Sequence, residues 1–448
     1  MKAQILKYWE RVRSSFWFLP SLMAAAAVGL SFLTVAFDQS VTQTWLRRLD
    51  WVYSGGAQGA SAVLQTIAGS MITIAGVVFS LTLVALSLAS SQFGPRLLRN
   101  FMRDTMNQLV LGTFIATFLY CLLVLRTIRR EDAGGFVPHL SVTLGVVFAL
   151  ASLWVLIYFI HHVSVSIQAD EVVARVGTEL DDTMNRLFPE QLGKGGDEPA
   201  DEADRYEDAQ PRIVSSGSDG YLQIIDAEAL MRFARETGTV LSLTRRPGHY
   251  IVQGTALLHA FPAEHVPEDM QQRLQGAFVL GNQRTAAQDV EFAILQLVEI
   301  ATRALSPGVN DPFTAIACID RLGSAFCRLA QRRFPGACRY DDAQRLSIIA
   351  MPTTFHGLAD AAFNPLRNYA RSSVEVTLRL LESLAVIASV ATRPADRAAL
   401  ERHADMIARG AAEDLPEAAD RHAVAARHQD VRQTLARTCV SPGPTGAG

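Results

Sequence analysis

Long apolar runs come first along the chain and charged, amphipathic stretches follow, and the sharpest feature is residues 51–95, which hold no Asp, Glu, Lys, Arg or His. Within them residues 61–93 read as one continuous helix. At about 1.5 Å per residue it reaches roughly 50 Å, against a hydrocarbon core of roughly 30 Å. In a bilayer such a helix must tilt, protrude or break.

Three further runs have the length and apolarity of a crossing: residues 16–37, 105–125 and 137–160. The first follows a basic start, residues 1–15, and is too long for the core of a signal peptide, so it reads as a retained anchor. Phe16, Trp17 and Phe18 suit an interfacial aromatic belt. Gly94-Pro95 ends the long second span, because proline cannot continue the hydrogen-bond ladder, and Arg96, Arg99 and Arg103 follow it. Four crossings, a basic amino terminus and this arginine cluster predict both termini in the cytoplasm. Arg47, Arg48, Arg126, Arg129 and Arg130 on the other side leave the charge margin small.

The second span is also patterned in its polar residues. Thr66, Thr73, Ser80 and Ser87 recur every seven positions, and Ser70 and Ser91 share their side. Two readings stay open. The hydroxyls can line a water-filled path and replace part of a solute's hydration, or they are small residues that let helices pack closely. Both place this span inside the bundle.

Past residue 165 the pattern becomes that of a charged soluble protein. Residues 166–189 read as a connecting helix that continues from the fourth span, and His161 and His162 at its membrane end read as interfacial residues that also have the chemistry of a pH sensor. Residues 190–211, rich in Asp and Glu and poor in apolar groups, read as a flexible linker. Residues 212–285 alternate like strands: 221–225, 239–244 and 250–261, the last broken at Gly254, with Asp226 capping a helix between the first two. The string from Arg246 to Leu258 is similar to the turn-and-strand signature of biotinyl and lipoyl modules, without their lysine. Residues 286–437 take helical period, with helices over 288–305, 312–332, 366–391, 395–409 and 422–436, and Asp311-Pro312 opens the second of these. Residues 438–448 read as a disordered tail.

Composition adds little to this division. Of 448 residues 49% are hydrophobic, and the formal net charge is −3, so no field argues for nucleic acid. The five cysteines form no CxxC pair, which suits a reducing compartment and no metal. Four segments together resemble one family: the run from Gly76 to Leu98, Gly220-Tyr-Leu-Gln-Ile-Ile-Asp, Arg284-Thr-Ala-Ala-Gln-Asp-Val-Glu-Phe, and Arg303-Ala-Leu-Ser-Pro-Gly-Val-Asn-Asp-Pro-Phe-Thr-Ala. They resemble the predicted bacterial membrane proteins of domain-of-unknown-function family 2254 (DUF2254). That likeness implies the architecture and carries no biochemical activity.

The predicted fold class is thus a four-span helical transmembrane bundle followed by a cytosolic α+β domain, a small β module and then mainly helices. There is no Walker loop, GxGxxG, GxSxG or HExxH, so no enzyme and no cofactor is expected. The polar positions that concentrate in the second half are Arg284, Asp289, Glu299, Arg303, Asn310 and Asp311, joined by Glu291 and Asp320. They read as a helix cap with an ion-pair network, or as a site for an ion or small ligand. No charged residue sits at mid-depth in a span, which disfavours coupled transport. The functional expectation is an oligomeric channel-like protein, with Thr66, Thr73, Ser80, Ser87 and Ser91 along the path and Arg96, Arg99 and Arg103 at an inner mouth. The alternative is a non-conducting anchored sensor or scaffold. The expected partners are the lipid bilayer and further copies of the chain, with no nucleic acid.

Overall fold

The computed structural model describes residues 17–40, 53, 55–94, 104–129, 136–188, 210–267 and 269–437. Arg96, Arg99, Arg103, the basic start, the tail and nearly all of the acidic linker lie outside the described residues. The chain divides into two compact units, residues 1–171 and 172–448.

The first unit holds α1 (Phe18–Ser40), α2 (Ala57–Phe93), α3 (Thr105–Leu125) and α4 (His139–Ser166), each long and apolar enough to cross a membrane. Spacing explains their packing. On α2 the buried positions are Ala60, Leu64, Ala68, Met71, Ala75, Val78, Ala89 and Phe93, a seam at steps of three and four. The upper part of this seam joins Tyr120, Cys121 and Val142, and the lower part joins Val110, Phe114 and Phe159. Gly112 lets α1 close on α3, since a Cβ there would meet Pro20 Cα at 3.2 Å. Here one expectation is corrected. Within one chain α3 is the inner helix, packed against α1, α2 and α4, while α2 buries a single seam. Helix α3 buries residues on most of its sides, Asn107, Gln108 and Thr117 as well as Val110, Phe114 and Tyr120, whereas the buried positions of α2 fall on one side and its hydroxyl stripe on the other.

The second unit opens with α5 (Ala169–Leu187). The helix expected to run on from the fourth span is interrupted at Ile167-Gln168, and α5 is strongly amphipathic, burying Val172, Val173, Val176, Leu180 and Met184. Next come β1 (Arg212–Ser215), β2 (Gly220–Ile225), α6 (Ala227–Thr237), β3 (Val240–Leu243), β4 (Tyr250–Ile251), β5 (Ala256–Phe261), α7 (Met270–Gln275) and β6 (Phe278–Gly281). After α8 (Val290–Ala304) and α9 (Pro312–Gln331) the chain makes β7 (Cys338–Tyr340) and β8 (Leu346–Ile349). Helices α10 (Phe355–Ala370), α11 (Val374–Val390), α12 (Pro394–Asp414) and α13 (Ala418–Arg437) complete it.

The strands form a five-stranded sheet, β1-β5-β3-β8-β7, and a three-stranded sheet, β4-β2-β6. Among the described strands only β3 and β8 run parallel, with Leu241 opposite Ile348. The larger sheet therefore takes strands from both sides of the expected boundary at residue 285, and Ile348 packs in one core with Leu241, Leu258 and Phe233. Strands β4 and β5, expected as one broken strand, lie in different sheets. The helix expected over 366–391 is two, because the chain turns at Arg371–Ser373 between α10 and α11.

Candidate functional site

Three polar constellations stand out, one on the surface of α2, one inside the first unit and one in the second unit. On α2, Thr66, Ser70, Thr73, Ser80, Ser87 and Ser91 are all exposed. At 3.6 residues per turn their stripe centres roughly 180° from the buried seam. It faces away from the other described helices of its own unit. A Cβ added at Gly69 or Gly76 beside it would meet open space. The hydroxyl protons are taken up locally: Thr66 donates to Ala62 O at 2.8 Å, Ser70 to Thr66 O at 2.8 Å, Thr73 to Gly69 O at 2.9 Å and Ser91 to Leu88 O at 2.9 Å. These four oxygens, their protons committed to these bonds, keep their acceptor lone pairs, which makes this part of the stripe an acceptor surface. Large exposed side chains border it, Ile72, Phe79 and Leu83 on one side and Val77, Leu81 and Leu88 on the other.

Inside the first unit lies a network that the sequence did not suggest. Asp38, at the end of α1 and 8% exposed, accepts from Leu140 N–H at 3.1 Å, Ser141 N–H at 2.9 Å and Ser141 Oγ–H at 2.6 Å. It therefore caps α4, whose preceding residue is Pro138 and offers no side-chain cap. The Tyr120 hydroxyl donates to Ser141 O at 3.1 Å and lies 3.1 Å from Thr34 Oγ1. At the opposite end Asp104 caps α3 through Met106 N–H, and its other oxygen lies 2.7 Å from His162 Nε2. Of the two adjacent histidines His162 is the paired one, while His161 is exposed. A carboxylate beside a helix amino terminus is favoured by the free N–H groups and the helix dipole. The signal available in the sequence was Asp38 alone, the single acidic residue after an otherwise uncharged run.

In the second unit the structure brings together part of the expected cluster. Asp289 caps α8 by accepting from Phe292 N–H at 3.1 Å, and Arg284 holds it through Nε at 2.8 Å and Nη2 at 3.0 Å. Arg284 Nη2 also reaches Glu291 at 3.3 Å, whose other oxygen takes Arg246 Nη2 at 2.6 Å. Burial works against the Arg284 charge, but the hydrogen bonds and charges of Asp289 and Glu291 outweigh it and leave the guanidinium above its ordinary value. His249, 3.3 Å from Arg246 Nε, is lowered by burial and by the neighbouring arginines. Gly248 makes the close approach possible at φ +97, since a Cβ there would fall 2.8 Å from Asp289 Cγ.

The other members of the expected cluster are elsewhere. Asp311 caps α9 through Thr314 N–H and Oγ1, after Asn310 at φ +50. Glu299 and Arg303 lie further along α8 with partners of their own, and Asp320 pairs with Arg379 at 2.5 Å. Beside the Arg284 network opens a cleft of about 160 Å³. Its apolar lining includes Phe188, Pro247, Pro335 and Met351, and its polar lining includes Arg246, Gln288, Glu291 and Arg339. Among the described residues no three His, Cys, Asp or Glu side chains converge to hold a metal ion.

The model of a family described as "Predicted membrane protein (DUF2254)" matches residues 13–386. A protein of Mycobacterium tuberculosis (strain CDC 1551 / Oshkosh), described as uncharacterized, is 32% identical over 423 residues, which is 92% of this chain and 79% of its own. Proteins of Mycobacterium bovis (strain ATCC BAA-935 / AF2122/97) and of M. tuberculosis (strain ATCC 25618 / H37Rv), with the same description, are 31% identical over the same shares. No solved structure matches.

Proposed function

The chain belongs to the DUF2254 family of predicted membrane proteins, and we propose that it works as an oligomeric channel-like protein. In this reading copies of α2 surround a common axis and turn Thr66, Thr73, Ser80, Ser87 and Ser91 toward a water-filled path. The observation that carries the reading is the position of the stripe, exposed and opposite the seam by which α2 holds to its own chain. Four helices enclose little volume, so in this reading the shared axis of several copies supplies the path. The large apolar side chains that border the stripe then form the contacts between copies. Acceptor lone pairs suit water and hydrated cations. The second unit lies in the cytoplasm of a bacterium in this scheme, where it assembles or gates the spans.

Purified protein in planar bilayers tests this. Current under voltage, tension or altered pH is expected, with Ser80→Leu reducing unitary conductance. Absence of current under all three conditions, together with no effect of Ser80→Leu, overturns it. The second reading, a membrane-anchored sensor that does not conduct, is favoured by a separate observation, the charged cleft beside Arg284. It predicts ligand binding without current.

A further inference from the structure

We propose that the cleft of the second unit binds a small organic carboxylate with a compact apolar body, aromatic or branched. The inference concerns residues 187–353 alone and stands whether or not the spans conduct. It begins with charge. Asp289 and Glu291 are already paired, the first with Arg284 and the second with Arg284 and Arg246. Arg339, which lines the same cleft, has no carboxylate partner among the described residues. Its Nη1 donates to Gly336 O at 2.6 Å and Cys338 O at 2.9 Å, which fixes the guanidinium plane and leaves Nε and Nη2 for a ligand. Among the described residues three guanidinium groups thus meet two carboxylates, and one positive charge is left over. The amino terminus of α8, with Val290 and Glu291 also in the lining, adds a dipole of the same sign. A single carboxylate neutralises this excess, and the planar fork of an arginine matches it in two hydrogen bonds.

Size and apolar lining set the rest of the ligand. A cavity of about 150 Å³ takes a benzene ring, and the cleft holds about 160 Å³. Phe188, Pro247, Pro335 and Met351 offer rigid or polarizable apolar surface to such a ring or branched chain. The site is built before any ligand arrives. Asp289 is 5% exposed, and the Pro247-Gly248 turn is seated on the Arg284–Asp289 pair, so ordering the pocket costs little at binding.

Calorimetry on the full chain in detergent, with benzoate, benzamide and inorganic phosphate as probes, decides the matter. Benzoate is expected to bind, with benzamide and phosphate each at least tenfold weaker. Arg339→Gln is expected to weaken benzoate at least tenfold. Met351→Glu, which puts a negative charge at a half-exposed position of the lining, is expected to weaken benzoate at least tenfold and benzamide by a smaller factor. Equal binding of benzamide overturns the role of charge, and equal binding of phosphate overturns the apolar body. No benzoate binding, or binding that both variants leave intact, overturns the site itself.

Discussion

Asp38 joins α1 to α4, and its removal is the sharpest test of how the membrane unit is held. Asp38→Ala deletes three hydrogen bonds, to Leu140 N–H, Ser141 N–H and the Ser141 hydroxyl, and uncaps α4. Hydrogen bonds between helices in a bilayer average about 0.6 kcal/mol, which sets a floor of about 2 kcal/mol for the three. Bonds to a charged group contribute up to about 3 kcal/mol each, which sets a ceiling of about 9 kcal/mol. The loss falls between these bounds. Asp38→Asn keeps one acceptor oxygen and loses roughly half as much. Unfolding by SDS in mixed micelles, followed by tryptophan fluorescence, reads this unit alone, because all five tryptophans lie within residues 9–154. A loss below about 0.5 kcal/mol for Asp38→Ala refutes the capping account.

Tyr120→Phe removes the hydroxyl shared with Thr34 and Ser141 O and costs about 1 kcal/mol in the same assay. Combined with Asp38→Ala it is less than additive, since both act through Ser141. His403 on α12 is fully buried, with Nε2 2.9 Å from Asp360, and burial pushes it down to about 4. The folded chain therefore binds its proton less readily than the unfolded chain, whose histidine titrates near 6.5. Stability from this group is complete above about pH 6.5 and is lost as pH falls toward 4, by roughly 2.5 kcal/mol at pH 4.5. Urea unfolding followed by circular dichroism shows this slope, and His403→Gln removes that share of it. Gly248→Ala places a Cβ 2.8 Å from Asp289 Cγ and 2.9 Å from Arg284 Nη2 at φ +97. It costs about 2 kcal/mol or more, visible as a lower midpoint in the same urea titration.

How much was legible depended on whether a feature is local. The span over 105–125 coincides with α3, and that over 61–93 ends where α2 ends, because apolar length and a closing Gly94 are written in adjacent residues. Asp226, Asp289 and Asp311 each cap a helix near where the sequence placed one, since a cap needs only its own next three residues. The pairing of β3 with β8 joins residues about a hundred apart, and no short-range pattern announces it. The same holds for the cluster. Arg284, Asp289 and Glu291 are neighbours in sequence and meet, but Arg246 and Arg339, which complete the cleft, come from strands and turns that only the sheet brings close. The stripe on α2 was legible as a periodicity. Its direction was not, because that depends on which side of α2 receives α3, and Ala60, Ala68 and Ala75 read as no more apolar than the residues opposite.

The central claim is that the outward stripe of α2 meets water in the assembled protein. Spin labels at Thr73→Cys, Ser80→Cys and Ser87→Cys, one at a time in a background without the native cysteines, measure this in vesicles through collisions with oxygen and with a polar nickel chelate. At mid-depth high nickel and low oxygen accessibility are expected at all three positions, and low values of both at Ile72→Cys, which lies in a contact between copies. High oxygen with low nickel at the three stripe positions, or low values of both, contradicts the claim.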